Sequence, residues 1–438
     1  MNSEQHIMIN GRFLTQSVTG VQRVAMEAVR MLDEMLESGE IDRRQYRFEM
    51  LVPPGKRQEV ELRHIPVREA GRMSGHLWEQ LELPRLTRGK LLVNLCGPAP
   101  LAKRQQIVTI HDAAIFANRE NFSLVFRSWY RLMFTGFRIA SRKVITVSHF
   151  SKSEIQRYCG IGERKIAVHH LGVDHMAKTI ADHAILAKHG LTPGNYVLAV
   201  SSRSPNKNFD AIVKAIRHLG NTAYDCVIVG GANAQVFGQA EVSGVNGETG
   251  GHARAEQVPR PVVNQAELAG VPDKPLEEGV GAPVSAAGST HHGDSHADLI
   301  ATEERMAGAR NGDAAQTPRN RVKLLGYVSD SELKALYEHA GCFIYPSFYE
   351  GFGLPPIEAM SCGCPVIVSQ AASLPEVCGP HAIYCDPHQY TDLAEKIQQV
   401  MGDEALRHSL RERGLAHAEG YRWRSFSGGL FREIVQSG

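Results

Sequence analysis

Glu350 and Glu358 are separated by seven intervening residues in the stretch YPSFYEGFGLPPIEAMSCGCPVIVS, residues 345–369. A β-like run ends in aromatic residues and meets the turn Glu350-Gly351-Phe352-Gly353. Leu354, Pro355 and Pro356 follow and lead into a helix. Proline suits the first turn of a helix, where its missing N–H would have no partner in any case. Glycines let backbone approach a ligand closely, and the free N–H groups of a helix start face an anion. This spacing puts Glu350 before the helix and Glu358 in its first turn. A carboxylate beside an anion site repels phosphate, so the two acids suit hydroxyl groups, as on a ribose or a sugar. The plain alternative is a capped helix carrying two solvated acids.

Other chemistry-bearing residues are less telling by themselves. His111-Asp112 follows the apolar run QIVTIH (106–111). A lone histidine after a strand is usually structural, and Asp112 reads equally as a cap. The eight cysteines are scattered and never form Cys-x-x-Cys. Cys362 and Cys364 flank one glycine, which is poor zinc spacing. His291, His292 and His296 lie in an open polar run. No Asp-x-Asp pair occurs in the chain. The cysteine spacing and the open histidine run give no expectation of a metal.

The elements that must position these residues alternate between strand and helix. HIMIN (6–10), RFEMLV (47–52), KLLVNL (90–95), QIVTIH and VITVS (144–148) read as buried strands. Val21, Val24, Ala25, Ala28, Leu32 and Leu36 recur at helical spacing, and 122–141 is a second helical stretch. The pattern restarts with YVLAVS (196–201), a helix over 206–219 and CVIVGG (226–231). It continues with VKLLGYV (322–328), a helix over 330–339, CFIYP, PVIVS and AIYC. Helices over 389–401, 403–418 and about 422–435 close the chain. Such alternation predicts α/β architecture, parallel sheets covered by helices. Two such halves leave a cleft between them, and open α/β sheets bind ligands at the carboxyl ends of their strands.

Between 240 and 320 the pattern collapses. This segment has eleven glycines and fourteen alanines but no Phe, Tyr, Trp or Cys. It cannot bury enough apolar surface to offset its ordering entropy, so the sequence predicts a disordered insertion. The 438 residues suit two or three domains at about 150 residues each. No run of about 20 apolar residues and no leader-like N-terminus occurs, so a cytoplasmic protein is expected. The net charge of +1 hides an asymmetry: residues 1–175 carry 26 Lys/Arg against 18 Asp/Glu. A basic half suits an anionic partner, or is an ordinary solvated surface. Residues 127–143 interleave Arg127, Arg131, Arg138, Arg142 and Lys143 with Trp129, Tyr130, Phe134 and Phe137. That mixture suits peripheral contact with a membrane, and equally a core-packed helix with a basic outer face.

The segment from Tyr345 to Ser369 resembles the Glu-x7-Glu motif of retaining, nucleotide-sugar-dependent glycosyltransferases of the GT-B fold, family 4. TGVQRVAMEAV (19–29), VTIHDAAIF (108–116), 144–174 and SRSPNKNFDAIVKAI (202–216) resemble that family's other segments, in order. The resemblance covers nearly all of the chain outside 240–320. It implies two Rossmann-like domains facing each other across a cleft. These are residues 1–176 on the acceptor side and 177–420 on the nucleotide-sugar side, with 421–438 a C-terminal helix that crosses back toward the first.

The resemblance also implies roles. Glu358 binds the ribose hydroxyls and Glu350 faces the donor sugar or its phosphate. Backbone N–H groups near Gly351, Phe352, Gly353 and Leu354 hold the diphosphate. Lys207 neutralises the distal phosphate, Gly20 lets its loop close on the diphosphate, and His111 contacts the donor sugar from across the cleft. Ser202 falls where many members have an arginine, and Arg203 is one residue later, so one cationic contact is in question. The implied reaction moves a hexose to an acceptor hydroxyl with retention and no cofactor. GDP-mannose is the expected donor, by resemblance to bacterial mannosyltransferases of polysaccharide assembly, and a UDP-sugar is its competitor. The acceptor is a saccharide or a lipid-linked saccharide. No nucleic-acid partner is expected. A sugar-nucleotide epimerase of the same fold and a non-catalytic partner subunit are the alternatives.

Overall fold

A computed structural model describes residues 4–117, 123–201, 204–220, 222–230 and 322–438. The predicted insertion over 240–320 lies outside the described residues, as do Ser202 and Arg203.

Thirteen strands form two sheets among these residues. The first contains β1 (Gln5–Asn10), β2 (Tyr46–Val52), β3 (Val67–Glu69), β4 (Leu91–Asn94), β5 (Gln106–Thr109), β6 (Lys143–Thr146) and β7 (Ile166–Val168). Their order is β3-β2-β1-β4-β5-β6-β7, and every pairing is parallel. The second contains β8 (Tyr196–Val200), β9 (Asp225–Val229), β10 (Val322–Gly326), β11 (Cys342–Tyr345), β12 (Val366–Ser369) and β13 (Ile383–Cys385). It is ordered β10-β9-β8-β11-β12-β13, again all parallel. The α/β class expected from the sequence is what forms. β4, β5, β11 and β12 are buried along their whole length. That explains why these strands read as continuous apolar runs rather than alternating ones.

Each sheet reverses its winding direction once, between β1 and β4 and between β8 and β11. Chain leaving neighbouring strands in opposite directions opens a crevice at their carboxyl ends. In the second sheet the flanking loops carry Lys207 and Glu350. In the first they carry the segment before Gly20, with His111 two residues beyond β5.

Two expectations need correction. The helix expected over 206–219 is broken: a 3₁₀ turn spans Pro205–Lys207 and an α-helix spans Phe209–Leu219. Asn208 between them has φ 53°. Its amide donates to the carbonyls of Pro346 (3.0 Å) and Pro387 (2.7 Å), and these bonds hold the left-handed conformation. Asparagine accepts that region more readily than most residues. The second correction concerns Glu358. The helix begins at Leu354, with both prolines inside its first turn, so Glu358 is its fifth residue and stands in the second turn.

The last helix, Trp423–Ser437, lies against Gly20–Glu37 of the first half. Trp423, Phe426, Leu430 and Ile434 are buried there, and the Ser427 hydroxyl donates to the Ala28 carbonyl at 3.1 Å. The chain therefore passes between the two sheets twice, and Trp423 meets Asp174 and His175 where it does so.

Candidate active site

Lys207 brings a cation to the second sheet's crevice. The turn Pro205–Lys207 projects its Nζ to 2.7 Å from Glu350 Oε1, and the same ammonium donates to the Tyr345 hydroxyl. It also lies 4.9 Å from the centre of the Tyr345 ring. Burial alone would lower the lysine's pKa. The Glu350 carboxylate and Tyr345 outweigh it, so the ammonium is held above the usual lysine range. Burial and the Glu350 charge push the Tyr345 phenol up as well. The site thus keeps a permanent positive charge beside one carboxylate and a neutral hydroxyl.

The turn after Glu350 has its carbonyls tied back and its amides open. The Ser373 hydroxyl lies 3.0 Å from the Glu350 carbonyl and 2.9 Å from that of Phe352. Ser148 donates to the Gly351 carbonyl at 2.6 Å. The amides of Gly351, Phe352, Gly353 and Leu354 donate no hydrogen bond among the described residues. Gly353 has φ 93°, a region that favours glycine, and caps the helix Leu354–Ser361. Phe352 is buried against His170 and Tyr421, with ring centres 5.9 and 5.8 Å away. Open amides at a helix start make an anion cradle.

The first half meets this turn directly. A Cβ on Gly351 would stand 2.6 Å from the His111 carbonyl oxygen and 2.8 Å from Asp112 Cβ. The Ser151 hydroxyl lies 3.0 Å from the Gly351 carbonyl and 2.9 Å from that of His111, within reach of a residue from each half. His111 Nε2 is 2.9 Å from the Leu95 carbonyl, which can only accept, so Nε2 carries a proton. Burial lowers the His111 pKa against the opposing pull of the Leu95 bond and Asp112. The ring is therefore neutral near pH 7, with Nδ1 as its acceptor. Asp112 accepts from the Ala114 amide at 2.9 Å, the capping role open to it from sequence.

Gly20 opens the helix Gly20–Glu37 and is exposed, and an added Cβ there would meet nothing within 4 Å. Its neighbours Thr19, Val21 and Gln22 share a cavity of about 140 Å³ with His111 and Asp112. Glu358 is buried and points elsewhere: its Oε1 is 3.1 Å from His175 Nε2. The structure thus joins Lys207, Glu350, the open turn and His111 around one crevice. Glu358 lies one helical turn and more beyond it.

Several residues here escaped sequence reasoning. Glu376, beyond the site, accepts from the amides of His149 (2.8 Å) and Phe150 (3.0 Å) and faces His170 Nε2 at 2.9 Å. It holds the start of the helix His149–Cys159 against the other half. Arg23 makes two bonds to Asp330, of 2.7 and 2.6 Å, across the same divide. Partners this distant in sequence leave no local signal. Ser148 had one, since a serine before a helix is an N-cap, and its hydroxyl does accept from the Ser151 amide.

Residues 311–417 match the family model of glycosyl transferases group 1. The matched stretch carries Glu350, the open turn and Glu358, whereas Lys207 and His111 lie outside it. Over 102 residues the chain is 47% identical to O-antigen chain mannosyltransferase B of Escherichia coli, covering 23% of this chain and 27% of that one. Over 82 residues it is 42% identical to O-antigen chain mannosyltransferase RfbU of Salmonella typhimurium, covering 19% and 23%. The alignment therefore spans about a quarter of the length of these curated relatives.

In three dimensions the chain is similar to sucrose-phosphate synthase from Thermosynechococcus elongatus, with TM-score 0.64, 16% identity and coverage of 99% and 100%. It is also similar to Anabaena HepE, solved with UDP and glucose, with TM-score 0.62, 16% identity and the same coverage. These likenesses show the fold of the chain, which is the GT-B fold.

Proposed function

We propose that this protein is a retaining glycosyltransferase that moves a hexose from a nucleotide-sugar donor to a hydroxyl of a saccharide or lipid-linked saccharide. The observation that carries the reading is the crevice itself. A permanently charged Lys207, open amides from Gly351 to Leu354 and the His111 ring converge from both halves. In the transfer the sugar C1–O bond to the diphosphate breaks and a C1–O bond to the acceptor forms. Negative charge grows on the departing phosphate as the sugar gains oxocarbenium character. Lys207 and the helix start meet that growing charge where it arises, which is where electrostatic stabilisation accelerates a reaction. The acceptor proton passes to the leaving phosphate, since no side chain here is placed as a covalent nucleophile among the described residues. His111 Nδ1 accepts from a donor-sugar hydroxyl, and Gly20 keeps its loop thin enough to lie against the diphosphate.

Mannose from GDP-mannose is the proposed donor, supported by the names of the relatives that match this chain. UDP-glucose is the alternative to include, because HepE was solved with UDP and glucose. The carboxylates bind hydroxyls, Glu358 those of the ribose and Glu350 those of the sugar. No metal or other cofactor is needed in this scheme.

No described helix is long and apolar enough to cross a membrane. We place the helix Leu124–Ala140 against the inner membrane face, because it exposes Leu124, Val125, Leu132 and Ile139 beside Arg131 and Arg138. Incubation with labelled GDP-mannose or UDP-glucose and a saccharide acceptor tests the reaction, with the anomeric configuration read by NMR. An α-linked product from an α-linked donor supports retention. Inversion, or epimerised donor without any acceptor product, refutes the reading. Flotation with anionic vesicles tests the membrane contact, and a protein that stays in the bottom fraction refutes it.

A further inference from the structure

The buried chain Trp423–His175–Glu358 lies outside the crevice and has no part in the transfer step above. Trp423 Nε1 is 3.1 Å from His175 Nδ1, and His175 Nε2 is 3.1 Å from Glu358 Oε1. Indole N–H can only donate. His175 Nδ1 must therefore accept, which leaves the ring proton on Nε2, aimed at the carboxylate. Trp423 is itself fixed, since its amide donates to Asp174 Oδ1 at 2.8 Å and its ring is fully buried. A Cβ on Gly172 would lie 2.1 Å from the Trp423 amide nitrogen, so the two segments are in closest contact here.

We propose that His175 is a positioning residue for nucleotide recognition: it holds one oxygen of Glu358 so that the other faces the ribose hydroxyls. This rests on the reading of Glu358 as the ribose acceptor. The carboxylate is buried, and among the described residues only its Oε1 is hydrogen-bonded. Without His175 the last torsion of the side chain is broad and roughly two-fold. With it, Oε2 has one direction. The three residues come from three places in the chain: the linker after β7, the last helix and the helix Leu354–Ser361. Specificity for ribose thus depends on the tail being docked, because Trp423 sets which ring nitrogen of His175 carries the proton.

Calorimetric titration of the full chain with GDP and UDP, each beside its 2′-deoxy counterpart, tests the idea. Wild type should prefer the ribonucleotide by about tenfold or more, the scale of a hydrogen bond to a charged group. His175→Phe keeps a ring but removes the donor, and should bring that preference to within about threefold while diphosphate binding persists. His175→Gln, whose amide can donate to the same oxygen, should restore most of it. Trp423→Phe should also lower the preference, because the imidazole proton is then free to move to Nδ1. A purely structural role would shift thermal stability and leave the ribose preference intact. Loss of the preference in Glu358→Ala but not in His175→Phe overturns the inference alone. A preference that survives Glu358→Ala, or is absent in wild type, overturns the reading of Glu358 and the inference with it.

Discussion

Gly351→Ala puts one methyl group into the contact between the two halves. Gly351 does not have a positive φ, so alanine fits its backbone and the effect is purely steric. The new Cβ would stand 2.6 Å from the His111 carbonyl oxygen, whereas ordinary contact begins at 3.4 Å. The obstacle is backbone of the opposite half and cannot rotate away. The halves must therefore separate locally by about 0.8 Å, the gap between those two distances. That stretches the Ser148–Gly351 bond from 2.6 Å and the Ser151–Gly351 contact from 3.0 Å to or beyond the limit for a hydrogen bond. Two neutral hydrogen bonds at about 1 kcal/mol each amount to roughly 2 kcal/mol against the closed arrangement. At 1.4 kcal/mol per factor of ten, kcat/KM should fall about thirtyfold. Steady-state kinetics measures it, with calorimetric unfolding as the control. The added methyl removes no side chain from the buried core that the two sheets share, so the melting temperature should drop by only a few degrees. A variant within about threefold of wild-type kcat/KM would refute the reasoning, because the closed contact would then be dispensable for transfer.

Lys207→Ala should depress turnover far more than donor binding, since the charge it meets grows only in the transition state. A kcat near wild type, measured at saturating donor, would assign that role to another cation. Activity should survive EDTA, because Lys207 and the open helix start supply the positive field; complete loss, restored by Mg²⁺ or Mn²⁺, would contradict this. Glu376→Gln should destabilise the closed protein by about 1–2 kcal/mol near neutral pH, the low end for bonds to a partly exposed charged group. Burial would raise the Glu376 pKa, but His170 and the His149 and Phe150 amides outweigh it, and the net direction is down. Its contribution is therefore complete above the ordinary carboxylate pKa of about 4.3 and is lost as pH falls below it. Unfolding curves of both proteins from pH 3 to 7 should converge at the acid end, and a gap that persists there would show the carboxylate charge is not responsible.

The alternation of apolar runs and helical spacing was enough to locate both sheets, because parallel strands are buried on two faces and announce themselves as unbroken runs such as KLLVN and CFIY. β3 escaped notice: three residues, Val67–Glu69, two of them exposed, give no apolar run. The helix His149–Cys159 was equally quiet, with Ser151, Glu154, Ile155 and Cys159 its only buried positions. The break at Asn208 was hidden for another reason. Asparagine is tolerable in a helix start, and only the distant carbonyls of Pro346 and Pro387 decide for the left-handed conformation. Glu358 was misplaced by one turn because the helix begins at Leu354, before both prolines, and nothing in the local pattern marks that start.

The site divides along the same line. Glu350, Gly351, Gly353 and Glu358 could be picked out because one turn and one helix hold them in a fixed local spacing. What that spacing cannot express is the direction of each group. Glu350 is turned to Lys207, 143 residues earlier in the chain. The Gly351 carbonyl is turned to Ser148, 203 residues earlier. Glu358 is turned to His175, 183 residues earlier, and His175 to Trp423, 248 residues later. Each glutamate therefore has a partner in another segment, and the two partners differ in kind. Glu350 faces a cation and shares its charge with whatever anion Lys207 receives. Glu358 faces the Nε2 of a histidine whose other nitrogen accepts from Trp423, and its second oxygen is not engaged by that contact. Two carboxylates with seven residues between them look equivalent in sequence. The residues brought to them from elsewhere in the fold make one part of a charge-compensating pair and leave the other, on the function proposed above, to accept from hydroxyl groups.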